Sequence, residues 1–224
     1  MRTFGVFCDH LELGHANSRL AEHIGPQRAI HLSAAFLDDL ALEFRSVGER
    51  RILGYFPAEL ADSFQHISRF GYDLWPQPDG DLGARLNAFF QKTLVDEEDR
   101  AVVVRSGSPT IPMEYVKLAF EKLEDFDCVV GPATDGGYYL LGLKRLTPEL
   151  FENIVWSGSS VLSQTVSRIA DKELSLALLP PWYGITDVDD LWMLAGHIRA
   201  MTRSGQTHPC PVTATVLQKL RMAD

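Results

Sequence analysis

Residues 101–112 read AVVVRSGSPTIP, and the fold can be read outward from this stretch. Ala101–Val104 is apolar throughout and reads as the clearest buried strand of the chain. Arg105–Ile111 is small, polar and turn-forming, and Pro112 opens a helix predicted to run to Leu123. The same unit recurs on both sides. Thr3–Cys8 (TFGVFC) is a buried strand followed by a polar loop to about Gly25. From Pro26, the residues Ala29, Leu32, Phe36, Leu40 and Phe44 recur at helical spacing. Arg51–Phe56 is a second strand, Pro57–His66 a short helix, and Tyr72–Trp75 a strand ending at Pro76. Leu82–Leu94 is helical, with Leu86, Phe89 and Phe90 on one face.

Beyond the opening stretch, Asp127–Gly131 and Tyr138–Leu143 are strands joined by a Gly-rich turn. Ser159–Ile169 is a helix, Ser175–Leu179 a last strand, and helices follow from about Val188 and Val212. Alternation of strand and helix implies a three-layer α/β/α domain with a mostly parallel central sheet. The strand from Tyr138 is expected to run antiparallel to its neighbours. No linker or repeat interrupts the chain, so one domain is expected over 1–224.

Composition removes several classes of function. Thirty acidic against 21 basic residues give a formal charge of −9, which disfavours nucleic acid or an anionic membrane as partner. No apolar run approaches the ~20 residues of a membrane span, and the N-terminus lacks signal-peptide features. Cys8, Cys128 and Cys210 are widely spaced and fit no metal pattern. A reduced, cytoplasmic setting is therefore expected.

Ligands of such sheets bind beyond the carboxyl ends of the strands, which singles out four loops. In Asp9–Leu20 (DHLELGHANSRL), Gly14 and Arg19 could cradle a phosphate, or form a solvated loop whose Arg pairs with an acid. In Gln77–Arg85 (QPDGDLGAR), Gly80 and Gly83 permit close backbone approach. Asp81 there is either a ligand group or a plain helix N-cap. Arg105–Pro112 could bind an anion or sugar, or simply cap the next helix. Gly131–Tyr139 (GPATDGGYY) sets Asp135 before Gly136 and Gly137 and beside Tyr138 and Tyr139. That pattern could hold a sugar or base, or be a type I′ hairpin turn. No catalytic triad order, zinc-protease motif, P-loop or dinucleotide fingerprint is present.

In order and spacing these segments resemble small bacterial transferases of the glycosyltransferase-A type, in the nucleotide-diphospho-sugar transferase superfamily. Molybdenum-cofactor and phospholactate guanylyltransferases are more distant relatives. The resemblance runs from Phe4 to about Leu217. It rests on Gln77 with Gly80-Asp81-Leu82-Gly83, and on Gly131-Pro132-Ala133 followed by Asp135-Gly136-Gly137-Tyr138-Tyr139. Ser108-Pro109, Trp156-Ser157 with Val161-Leu162, and Cys210-Pro211 also match.

The resemblance implies a nucleotide or nucleotide-sugar donor, a small-molecule acceptor, and glycosyl or nucleotidyl transfer. Arg19 and Arg105 are then expected on the phosphates, with Gln77 and the Gly80–Gly83 loop on the base or donor and Ser108 among the other substrate-binding residues. Asp135 is expected to orient or deprotonate the acceptor hydroxyl, and Gly136, Gly137, Tyr138, Trp156 and Ser157 are expected to bind substrate.

Departures from the family pattern bear on the cofactor. The first loop usually reads Lys-x-Pro-x-x-Gly-x-x-Lys-Thr-Arg-Leu. Here Asp9 replaces the first Lys, Leu11 the Pro, and Asn17-Ser18 the Lys-Thr, while Gly14, Arg19 and Leu20 persist. The family carboxylate implied to hold Mg or Mn, in Gly-Ser/Thr-Asp-x-Pro, is replaced by Gly107. A later family Asp falls on Thr186, or on Asp187 after a one-residue slip. Gly offers no oxygen ligand, so metal dependence is expected to be weak or absent and the donor site partly eroded. A non-catalytic nucleotide- or partner-binding descendant is the alternative.

Overall fold

The computed structural model describes residues 1–8, 18–220 and 222. Its centre is a seven-stranded sheet in the order β3-β2-β1-β4-β6-β5-β7. The strands are β1 Arg2–Cys8, β2 Arg50–Tyr55, β3 Asp73–Pro76, β4 Arg100–Arg105, β5 Cys128–Pro132, β6 Tyr138–Leu143 and β7 Leu176–Leu178. All neighbouring pairs are parallel except those of β6, which runs antiparallel to both β4 and β5. The strands expected at residues 3–8, 51–56, 101–104 and 127–131 thus share one sheet, with β6 inserted between the last two. Every residue of β6 is buried, as its central position requires.

The helices are α1 Ser18–Ile24, α2 Pro26–Glu43, α3 Ala61–Phe64, α4 Leu82–Thr93, α5 Met113–Asp125, α6 Val161–Asp171, α7 Val188–Arg203 and α8 Pro211–Lys219. Side chains in β4 alternate between the two faces, the two-residue period of a strand. Val102 and Val104 pack with Leu37 and Leu40 of α2 and with Val116 and Phe120 of α5. Ala101 and Val103 pack with Phe89 and Phe90 of α4 and with Val161 and Ile169 of α6. These two cores form the three layers. A third core, with Leu20, Phe36, Leu191, Leu194 and Leu217, binds α1, α7 and α8 to α2.

Two expected boundaries are corrected. The polar loop to Gly25 gives way to α1 at Ser18, whose Leu20 is fully buried. The helix expected over Pro57–His66 is three short pieces: α3 between the 3-10 turns Ala58–Leu60 and Gln65–Phe70. All three cysteines are buried and free. No helix among the described residues is long and apolar enough to cross a membrane.

Candidate functional site

The carboxyl ends of β1 and β4 lie side by side because their ladder continues past the strands. The Ser106 N–H donates to the Phe7 carbonyl at 2.9 Å. Next, the Gly107 carbonyl accepts the Ile185 N–H at 2.7 Å, which brings the segment after β7 across the end of β4. That segment also reaches β5: Trp182 N–H donates to the Pro132 carbonyl at 3.0 Å, and Thr134 N–H to the Trp182 carbonyl at 3.1 Å. The connection from β5 to β6 is closed by Ala133 N–H on the Gly137 carbonyl at 3.0 Å and Gly136 N–H on the Ala133 carbonyl at 3.2 Å. In this turn Gly136 has φ 87° and Asp135 does not have positive φ, so it is not the type I′ turn, which needs two such residues.

Between these loops opens a cleft lined by Arg105, Ser106, Ser108, Asp135, Tyr138 and Tyr139, together with Ser33 and Phe36 of α2 and Thr186. Arg105 is the sole base and Asp135 the sole acid among its described lining residues. The Asp135 side chain is exposed, and its Oδ1 accepts the Gly137 N–H at 2.9 Å, which fixes its direction. Burial pushes the phenols of both Tyr138 and Tyr139 up, so both stay neutral; the Thr165 hydroxyl and Arg105 act against this at Tyr138. Tyr139 donates its hydroxyl to the Pro180 carbonyl at 3.0 Å and presents a ring rather than a polar group.

The other expected site residues take defined places. Gln77 is buried at the end of β3. Its Nε2 donates to the Gly54 carbonyl at 2.6 Å and reaches the Cys8 carbonyl at 3.4 Å, while its Oε1 has no partner. Asp81 caps α4, accepting the Ala84 N–H at 2.8 Å, which is the plain N-cap role. Gly80 is exposed with φ 121°. Gly83 lies against the Trp156 indole, where a Cβ would be 2.6 Å from Nε1. Ser157 is exposed in the loop before α6, and that loop presses on the Asp135 turn. A Cβ on Gly136 would collide with the Ser159 backbone, and Leu162 N–H donates to the Gly136 carbonyl at 2.9 Å. Segments 80–83, 156–160 and 135–137 are therefore linked one to the next.

Asp187 accepts the N–H groups of Asp189 and Asp190 at 3.0 and 3.1 Å as the N-cap of α7. Its neighbour Thr186 faces the cleft instead, with its hydroxyl donating to Asp190 at 2.8 Å. Arg19 is exposed on α1 and is not among the described residues lining the cleft. Gly14 and Asp9 lie outside the described residues. Ser33 and the segment 182–185 were not singled out from sequence. Ser33 carries one weak signal, a hydroxyl among the apolar positions Ala29, Leu32 and Phe36.

Residues 44–158 match a family described as uncharacterized proteins conserved in bacteria, DUF2064. The chain belongs to this family. This DUF2064 protein is similar over its whole length to a provisionally named nucleotide-diphospho-sugar transferase of Desulfovibrio desulfuricans G20, with 28% identity, 98% of that chain covered and a TM-score of 0.86. It shares its fold with 4-diphosphocytidyl-2C-methyl-D-erythritol synthase of Anaerococcus prevotii DSM 20548, at 10% identity, 88% and 98% coverage and a TM-score of 0.60. The inositol-1-phosphate CTP transferase of T. maritima has the same fold, at 14% identity, 92% and 98% coverage and a TM-score of 0.57. Among curated proteins, none matches the chain. The DUF2064 protein thus has the nucleotide-diphospho-sugar transferase fold shared with cytidylyltransferases.

Proposed function

We propose that this protein transfers a glycosyl or nucleotidyl group from a nucleotide-activated donor to a small-molecule acceptor, in a cytoplasmic setting and with little dependence on divalent metal. One observation carries the reading: Arg105, the last residue of β4, and Asp135, in the turn after β5, face one hydroxyl-lined cleft at the strand carboxyl ends.

In this reading Arg105 and Ser108 bind the donor phosphates, and Gln77 with the Gly80–Gly83 loop lies on the base side. Arg105 offers a planar, permanently charged fork that suits a phosphate. Asp135 takes the proton of the acceptor hydroxyl as its oxygen bonds to the transferred group. The bond from that group to the departing phosphate breaks, and Arg105 neutralises the charge that develops there. Gly136, Gly137 and Tyr138 shape the acceptor side, and the Trp156-Ser157 loop supports them.

The described residues do not fit the Mg or Mn implied by the fold family. They hold no group of three potential metal-ligating side chains, Gly107 brings no oxygen, and Asp187 is spent on its helix cap. No step is routed through a metal. The same features favour a second reading, a non-catalytic nucleotide- or partner-binding descendant.

A thermal-shift screen of nucleotides and nucleotide-sugars, with and without manganese, tests the proposal. A ligand at a hundred times its Kd adds about 2.7 kcal/mol to stability. A shift independent of manganese, together with product from that donor, supports it. Binding without turnover favours the second reading, and tight manganese-dependent binding overturns the eroded site.

A further inference from the structure

The segment 182–186 is held to the cleft in front by backbone hydrogen bonds and braced from behind by side chains. Trp182 Nε1 donates to Thr110 Oγ1 at 3.3 Å. Thr110 Oγ1 donates to the Tyr183 hydroxyl at 2.9 Å, and that hydroxyl lies 2.7 Å from Nδ1 of His197 on α7.

This chain has one direction. An indole N–H only donates, so Thr110 receives at that bond. Thr110 is 3% exposed, and its hydrogen has the Tyr183 oxygen as its acceptor. The Tyr183 hydrogen is then left to point at Nδ1. Burial pushes the Tyr183 phenol up to about 12, so that hydrogen stays in place near neutral pH. Nδ1 must therefore carry a lone pair, and the imidazole proton sits on Nε2.

We infer that His197, outside the cleft, is a positioning residue: as the neutral Nε2–H tautomer it is the last acceptor of a one-way chain through Tyr183 and Thr110 that clamps segment 182–186 onto the loop after β4. The clamp bears on function only through the proposed reading of the cleft, but its existence does not depend on that reading.

Protonation breaks the clamp. A charged imidazole turns Nδ1 into a donor, Tyr183 must swing its hydrogen toward Thr110, and the Thr110 hydrogen is stranded in a buried place. The groups that face His197 across the adjoining groove are Glu43 of α2, Glu114 of α5 and His208 after α7. Cys210 nearby stays a neutral thiol, since burial pushes it up to about 12. The clamp therefore holds only while the His197 ring is neutral.

The test is hydrogen exchange at the Ile185 amide, the bond that closes onto Gly107, expressed as a protection factor to remove the intrinsic pH effect. Tyr183→Phe, which keeps the ring, should lower protection roughly three- to tenfold at pH 8, the range of one hydrogen bond. His197→Leu should match it. In His197→Asn the amide oxygen takes the place of Nδ1, so protection should return and no longer fall on acidification, as it should in the native protein. Nitrogen-15 spectra of native His197 should show the proton on Nε2. Native-like protection in His197→Leu, no rescue by His197→Asn, or a neutral Nδ1–H tautomer would overturn the inference. If these results hold while CTP, GTP, UDP-glucose and GDP-mannose all fail to bind, the transferase reading fails and the clamp stands.

Discussion

Gly107 and Ile185 are joined by a 2.7 Å backbone hydrogen bond, yet the side-chain position of Gly107 is open. A Cβ there would meet nothing nearer than the Ile185 carbonyl oxygen at 3.6 Å, and its φ lies outside the left-handed region. Ordinary contact at 3.6 Å tolerates a side chain, so nothing steric explains the glycine where the resembling family carries a carboxylate.

Gly107→Asp should therefore fold normally, with a cost under about 1 kcal/mol, or roughly 2–4 °C in Tm for a chain this size. Combined with Asp9→Lys, it should make nucleotide-sugar affinity metal-dependent, with a gain of about tenfold or more on adding manganese, equal to about 1.4 kcal/mol. Titration calorimetry on the native and double-variant proteins decides this. An equal manganese response in both would show that Gly107 does not set the metal response.

Asp135 separates structure from chemistry through two substitutions. Asparagine retains the oxygen that accepts the Gly137 N–H at 2.9 Å, so Asp135→Asn should leave the melting temperature nearly unchanged. Transfer should nonetheless fall by roughly 10²–10⁴, the range for loss of a general base. Asp135→Ala also loses the turn bond and should cost a further ~0.5–1.5 kcal/mol of stability. Full transfer by Asp135→Asn would exclude the assigned role.

Gly83 is required by the indole packed on it. With a Cβ only 2.6 Å from Trp156 Nε1, Gly83→Ala should destabilise by roughly 1–3 kcal/mol and shift the tryptophan fluorescence. In a Trp156→Ala background the same change should cost much less. Equal costs in both backgrounds, measured by urea unfolding, would show that Gly83 serves the site rather than this contact.

Acid stability should depend on Asp127, far from the cleft. Burial raises its carboxyl, but the Ser175 N–H and hydroxyl outweigh this with help from Arg145 and Lys144, and the net direction is downward. The bonds from Ser175 measure 2.9 and 2.7 Å. A folded-state value below the unfolded one gives stability that is complete above the unfolded value and lost as pH falls through the folded one. Unfolding curves from pH 7 down to pH 2 should show this loss, and Asp127→Asn should flatten that limb while costing roughly 1–3 kcal/mol at pH 7. An unchanged acid limb in the variant would remove Asp127 as its source.

Most of the layer architecture was legible in the chain. Runs such as Ala101–Val104 and Tyr138–Leu143 are apolar because both sheet faces are covered, and that demand is local. The 3.6-residue recurrence from Ala29 to Phe44 marked α2 for the same reason. The pieces from Pro57 to Phe70 escaped because single turns carry too few residues for a period. Ser18–Ile24 escaped because Leu20 is the sole fully buried side chain among its described ones.

The sequence by itself determined most of the strands and the longer helices, and that Asp135, Gly136 and Gly137 lie in a turn. These follow from burial period and turn chemistry, which act over a few residues. Only the tertiary structure decided that β6 lies between β4 and β5, since strand pairing joins residues far apart in the chain. Only it decided that Asp81 and Asp187 spend their carboxylates on helix N–H groups, leaving Thr186 at the cleft. It alone brought Ser33 to the cleft and set Trp182, Tyr183 and His197 against the loop after β4. The physical reason is common to all of these: a polar side chain serves whichever partner the packed chain places nearest, and that partner is chosen by contacts remote in sequence.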